Sequence, residues 1–111
     1  MICLKRQMLG YPLTAQIQRL DQGVHVLITG GCRTHVGAIS VGEPGEPVET
    51  RAFPGHRDQV VSEPWAAAIA EKAGERTVVL CGIHYDGIDA GQIRQVLEET
   101  DRMLREALNR L

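Results

Sequence analysis

The chain predicts an α+β fold: a mostly antiparallel sheet of about five strands, ordered β-β-β-β-α-β-α, covered on one face by two helices. Three observations carry that reading. The first half alternates apolar and polar residues with period two, as half-buried strands do. One continuous apolar run, 76–83, sits between two helix-like segments. The last twenty or so residues repeat with a helical period.

Thr14-Ala15-Gln16-Ile17-Gln18-Arg19-Leu20 is the first strand, by its strict alternation. Asp21-Gln22-Gly23 makes a tight turn, and Val24-His25-Val26-Leu27-Ile28-Thr29 returns as the second strand of a hairpin. Gly30-Gly31 is expected to break that ladder. His35 to Val41 forms a third strand, with Gly37 inside it pointing to a bulge or a close backbone contact. Gly42-Glu43-Pro44-Gly45-Glu46-Pro47 is turn chemistry, and Val48 to Phe53 is the fourth strand. Pro54-Gly55 ends it.

A helix over roughly Arg57 to Ala73 follows, with Val61, Trp65, Ala68 and Ile69 on one face. Pro64 cannot donate to the carbonyl of Val60, so a start near His56 with a distorted first turn is expected. Gly74 is placed to cap the C-terminus. Arg76 to Ile83 reads as a central strand, because it is apolar throughout. Asp89 and Gln92 have capping-box spacing at the head of the last helix. Its stripe is Ile93, Leu97, Thr100, Leu104, Leu108 and Leu111, widened by Val96, Met103 and Ala107 into core or a subunit contact. Glu98–Arg102, Asp101–Arg105 and Glu106–Arg110 are acid-before-base pairs at i,i+4.

At 111 residues the chain predicts a single domain over 1–111, with a short N-terminal arm, 1–11. With 43% apolar, 23% charged and only 4% aromatic residues, it reads as globular, with a modest aliphatic core. Such a domain gains stability by self-association, so a homo-oligomer is expected. A net charge of −2 and the absence of a basic run argue against nucleic acid. No apolar stretch of about 18 residues argues for a membrane span. The mixed opening segment lacks the apolar run of a signal peptide, so a cytoplasmic location is expected. Cys3, Cys32 and Cys81 are odd in number and widely spaced, which is neither a disulfide framework nor a zinc-binding CxxC pattern. Cys81 reads as a small buried hydrophobe, and Cys32, although it lies among glycines, also reads as structural.

Of the four histidines, three stand beside glycines at element ends. Gly30-Gly31-Cys32-Arg33-Thr34-His35-Val36-Gly37 joins two strands, so it is neither a phosphate-binding loop nor a dinucleotide fingerprint, both of which need a following helix. It is either an anion-accepting turn with Arg33 and Thr34 as donors, or a solvated hairpin loop. Gly55-His56-Arg57-Asp58 opens a helix, where the dipole favours anions. The alternative is that Asp58 answers the dipole while Arg57 faces water. Gly82-Ile83-His84-Tyr85-Asp86 ends the central strand, and in extended backbone His84 and Asp86 point the same way. That spacing suits an oriented imidazole. His25, mid-strand, reads as structural. His35, His56, His84 and Asp86 are metal-ligand types, but no HxH or HxxxH pair anchors them, and no metal is expected.

Taken in order, Gly-Gly-x-x-x-His-Val-Gly, Gly-His-Arg-Asp, Gly-Ile-His-Tyr-Asp-Gly and Ile-Asp-Ala-Gly-Gln-Ile resemble the LpdD-like prenylated flavin chaperone family, over about residues 14 to 100. These are small accessory proteins of UbiD-type decarboxylases of aromatic acids. The resemblance implies a non-catalytic protein that carries or protects prenylated FMN, with the decarboxylase as partner. It implies a cargo site drawn from Gly30, Gly31, Arg33, His35, Gly37, His56, Arg57, Asp58, Gly82, His84 and Asp86. A flavin phosphate is suited by backbone N–H groups, Arg and His; the ring system is suited by an apolar shelf. The alternatives are a small His/Asp-site enzyme or metal-dependent hydrolase, and a structural subunit of a decarboxylase complex.

Overall fold

The computed structural model describes residues 1–55 and 57–111. The elements are β1 (Ile2–Met8), β2 (Tyr11–Arg19), β3 (Val24–Gly31), β4 (Ala38–Gly42), β5 (Glu49–Ala52), α1 (Gln59–Ala73), β6 (Thr77–His84) and α2 (Ala90–Arg110). They form an α+β fold with one six-stranded sheet, ordered β1-β2-β3-β6-β4-β5. Both helices pack on the same face. There Leu13, Ala15, Ile17, Val26, Ile28, Val79 and Cys81 meet Trp65, Ile69, Met103 and Ala107.

The sheet has six strands rather than about five, because Ile2–Met8 is not an arm. It pairs antiparallel with β2, in the register Leu4↔Ala15. Leu4 points into the core at 3% exposure. Arg6 sits on the same side of the strand, where a charge disguises the alternation. Its guanidinium reaches α2 instead, at 3.1 Å from Glu99 and 2.9 Å from Glu106. Glu106 therefore spends its charge on β1, and only the other two pairs expected along α2 form: Glu98–Arg102 at 3.9 Å and Asp101–Arg105 at 2.7 Å.

The sheet is mixed. β6 runs parallel to β3 and antiparallel to β4. Gly30 and Gly31 do not break the ladder; they extend it, opposite Ile83 and His84. Segment 32–37 is consequently not a hairpin loop. It carries the chain across the end of β6, which fills the gap between β3 and β4.

α1 begins at Gln59 and runs through Pro64 without interruption. The carbonyl of Val60 loses its helical donor there, but Val60 is 51% exposed, so water can supply one. Gly74 ends the helix at φ 68°, with its N–H on the Ala70 carbonyl. In α2 the capping box is complete: the Gln92 N–H donates to Asp89 at 2.8 Å, and the Asp89 N–H donates to the Gln92 side chain at 3.0 Å. The helix is rotated from the expected stripe, so Val96, Thr100, Met103, Leu104 and Ala107 are buried while Ile93 remains 48% exposed. No helix among the described residues is long and apolar enough to cross a membrane.

Candidate functional site

The chemistry-bearing residues gather at the C-terminal ends of the parallel pair, β3 and β6, a place where sheets of this kind commonly bind ligands. Segment 32–37 wraps the end of β6. The Cys32 N–H donates to the His84 carbonyl at 2.8 Å, and the Gly37 N–H donates to the Cys81 carbonyl at 3.0 Å. The wrap is tight enough to require glycine. A Cβ on Gly82 would collide with the carbonyl of His35. Gly31, at φ 85°, lies against the carbonyl of His84. Gly30 backs onto Leu13, and Gly37 onto the Asp58 carboxylate. Gly31 and Gly82 thus serve the approach of the protein's own backbone, and Gly30 and Gly37 make room for its own side chains.

Asp58 stands at the N-cap position of α1 but makes no side-chain cap. Its carboxylate, 6% exposed, turns to the sheet instead. One oxygen accepts the Ile83 N–H at 2.9 Å, with the Cys81 thiol at 3.8 Å. The other lies 2.9 Å from His35 Nε2. Neither a simple reply to the helix dipole nor an open anion site describes it: Asp58 pins β6, segment 32–37 and α1 together. Burial first, then the neighbouring Asp58 charge, pushes the Cys81 thiol pKa well up, so Cys81 is an inert core residue.

His84 and Asp86 pair as their i,i+2 spacing predicts, Nε2 to Oδ1 at 2.7 Å. Sequence reasoning missed their neighbour. Cys32 Sγ lies 3.5 Å from Asp86 Oδ2 and 3.5 Å from the His84 carbonyl oxygen. The hydrogen bond from His84, then that from Cys32, holds the Asp86 carboxyl below its ordinary pKa. Arg33 is exposed and its own carbonyl faces His35 Nδ1 at 3.3 Å. His56 lies outside the described residues.

Two hollows flank Tyr85. One, of about 320 Å³, is walled by Val61, Ile83, Ile88, Ile93, Val96 and Leu97, with Arg57, Asp58 and His84 as its polar groups. The other, of about 330 Å³, is lined by Leu9, Tyr11, Cys32, Asp86 and Gln92. Tyr85 borders both, is 8% exposed, and stacks edge-on to Tyr11 at 6.3 Å. Its buried hydroxyl has no hydrogen-bond partner among the described residues. An orphaned buried hydroxyl costs roughly 1–3 kcal/mol, and a ligand in either hollow can relieve that. A larger hollow, of about 580 Å³, lies at the opposite end of the parallel pair beside His25 and Arg76. It contains neither a clustered thiol nor an orphaned hydroxyl among the described residues, so the smaller pair is the candidate site.

Residues 7–111 match the family described as the prenylated flavin chaperone LpdD-like domain. Over 105 residues the chain is 27% identical to Protein LpdD of Lactiplantibacillus plantarum, a match that spans 90% of this chain and 77% of that relative.

Proposed function

The chain belongs to the prenylated flavin chaperone LpdD-like family, and we propose that it binds prenylated FMN as cargo and passes it to a UbiD-type aromatic-acid decarboxylase, without catalysing a reaction itself. The supporting observation is the hollow beside Tyr85. Its wall of Val61, Ile83, Ile88, Val96 and Leu97 suits a large, mostly apolar ring system. The unpartnered Tyr85 hydroxyl suits a ring carbonyl or ring nitrogen. Arg57, exposed at the rim beside the start of α1, suits the phosphate. The residues present therefore fit the group.

Delivery also requires release. The hollow is open on one side, and Ile93 leaves apolar surface at its lip, where a receiving protein can dock. The protein works as a cytoplasmic homo-oligomer. Its contact surface is the uncovered face of the sheet, where Leu27, Leu80 and Ile39 align across three strands.

Native mass spectrometry of the protein with prenylated FMN, against plain FMN, tests the cargo reading. Selective retention of the prenylated form is expected, weakened by Arg57→Ala. Retention of neither form would overturn it. Light scattering tests self-association: a monomer, or an oligomer indifferent to Leu80→Glu, would overturn that part.

A further inference from the structure

We infer that Cys32, His84 and Asp86 form a binding site for a divalent metal ion of the zinc class, at the edge of the flavin hollow that His84 also lines. The three candidate ligand atoms, one thiol sulfur, one imidazole nitrogen and one carboxylate oxygen, all lie within 4.8 Å of one another. Around a tetrahedral zinc ion such atoms stand about 3.3–3.6 Å apart, given bond lengths of about 2.0–2.3 Å. The Cys32 sulfur sits 3.5 Å from one Asp86 oxygen and His84 Nε2 lies 2.7 Å from the other, so the three side chains converge and small adjustments bring them to that spacing. Asp86 is exposed, so its side chain has room to adjust.

The donor set selects the ion. A thiolate with an imidazole favours zinc and its neighbours, whereas magnesium and calcium take oxygen alone. The site is also pre-assembled. The backbone hydrogen bond from the Cys32 N–H to the His84 carbonyl, 2.8 Å long, holds the two residues side by side before any ion arrives.

A second observation points to a ligand at this place. Tyr85, whose buried hydroxyl has no partner among the described residues, lines the same hollow as Cys32 and Asp86. Three protein ligands leave one zinc position open on the side of that hollow, where a water or ligand oxygen can complete the tetrahedron. Binding displaces the proton that His84 Nε2 shares with Asp86 and releases the Cys32 thiol proton to solvent. No electron is transferred.

Cobalt(II), an optically active substitute for zinc, tests this on the flavin-free full-length chain. One equivalent should bind, giving thiolate-to-cobalt charge-transfer absorption in the near ultraviolet, and added zinc should erase it. Cys32→Ser should abolish the band, Cys3→Ser should leave it, and Asp86→Asn should weaken binding at least tenfold. Asp86 is exposed, so that variant retains the fold, and circular dichroism verifies this for all three. Absence of a thiolate band, or a band that survives Cys32→Ser, overturns the proposal. Because no flavin is present, either result leaves the cargo reading to its own test.

Discussion

His35 Nε2 meets Asp58 Oδ2 at 2.9 Å, and this single contact joins the segment that crosses β6 to the first residues of α1. Asp58 is buried and also holds the Ile83 N–H, so its carboxylate is the meeting point of three elements. Replacing Asp58 by Ala orphans the Ile83 backbone donor and removes the Nε2 partner of the His35 imidazole. A loss of about 1–3 kcal/mol in urea unfolding is expected. A His35→Ala, Asp58→Ala double-mutant cycle should show coupling, and strictly additive losses would contradict the assigned role.

Gly82→Ala should cost about 3 kcal/mol or leave the chain unfolded, since its Cβ has no space beside the His35 carbonyl. Gly91→Ala is the matched comparison. Its Cβ meets nothing closer than Asp89 at 3.4 Å, so stability should hold or rise by up to about 1 kcal/mol. Thermal melts of the two variants should separate clearly, and equal melting temperatures would refute the close approach.

Thiol labelling should distinguish the three cysteines. Cys3 is exposed and Cys32 half-buried, so both should react in the folded protein, while Cys81 should react only after denaturation. Raising the pH should not recruit Cys81 while the fold holds, because burial and the Asp58 charge push its thiol pKa upward and the thiolate stays scarce. Three equivalents labelled under native conditions would contradict the core placement.

Along α2, Met103→Ala should cost about 2–5 kcal/mol, because Met103 is fully buried. Ile93→Ala should change stability by no more than about 0.5 kcal/mol, since the side chain is half exposed. The same Ile93 variant should weaken transfer of flavin to a decarboxylase if this lip is the docking point. Chemical denaturation and a transfer assay read the two effects separately.

What could be read from the sequence was local. The Asp89–Gln92 capping box, the Gly74 cap and the His84–Asp86 pair each depend on residues at most four apart, and each forms as its spacing predicts. What could not be read depends on distant partners. Arg6 makes Ile2–Met8 look like a polar arm until Glu99 and Glu106, 93 and 100 positions away, neutralise it. Cys32 joins His84 and Asp86 only because β3 and β6 run parallel in the register Gly31↔His84. No periodicity within segment 30–37 encodes that pairing. The burial of Asp58 was hidden likewise, because the helix-start position has an adequate local explanation in the dipole.

The insertion of β6 between β3 and β4 has a consequence for how the protein comes into being. During synthesis, β1–β2–β3 and β4–β5 emerge first, as two hairpin-like units with no contact of their own across the gap that β6 will fill. Until Thr77–His84 leaves the ribosome, each unit presents a bare strand edge beside unburied Val and Ile residues. Pairing so distant in the chain closes slowly. The nascent protein is thus most prone to aggregate in the interval before its sixth strand arrives, and it is then that a cellular folding factor would protect it most.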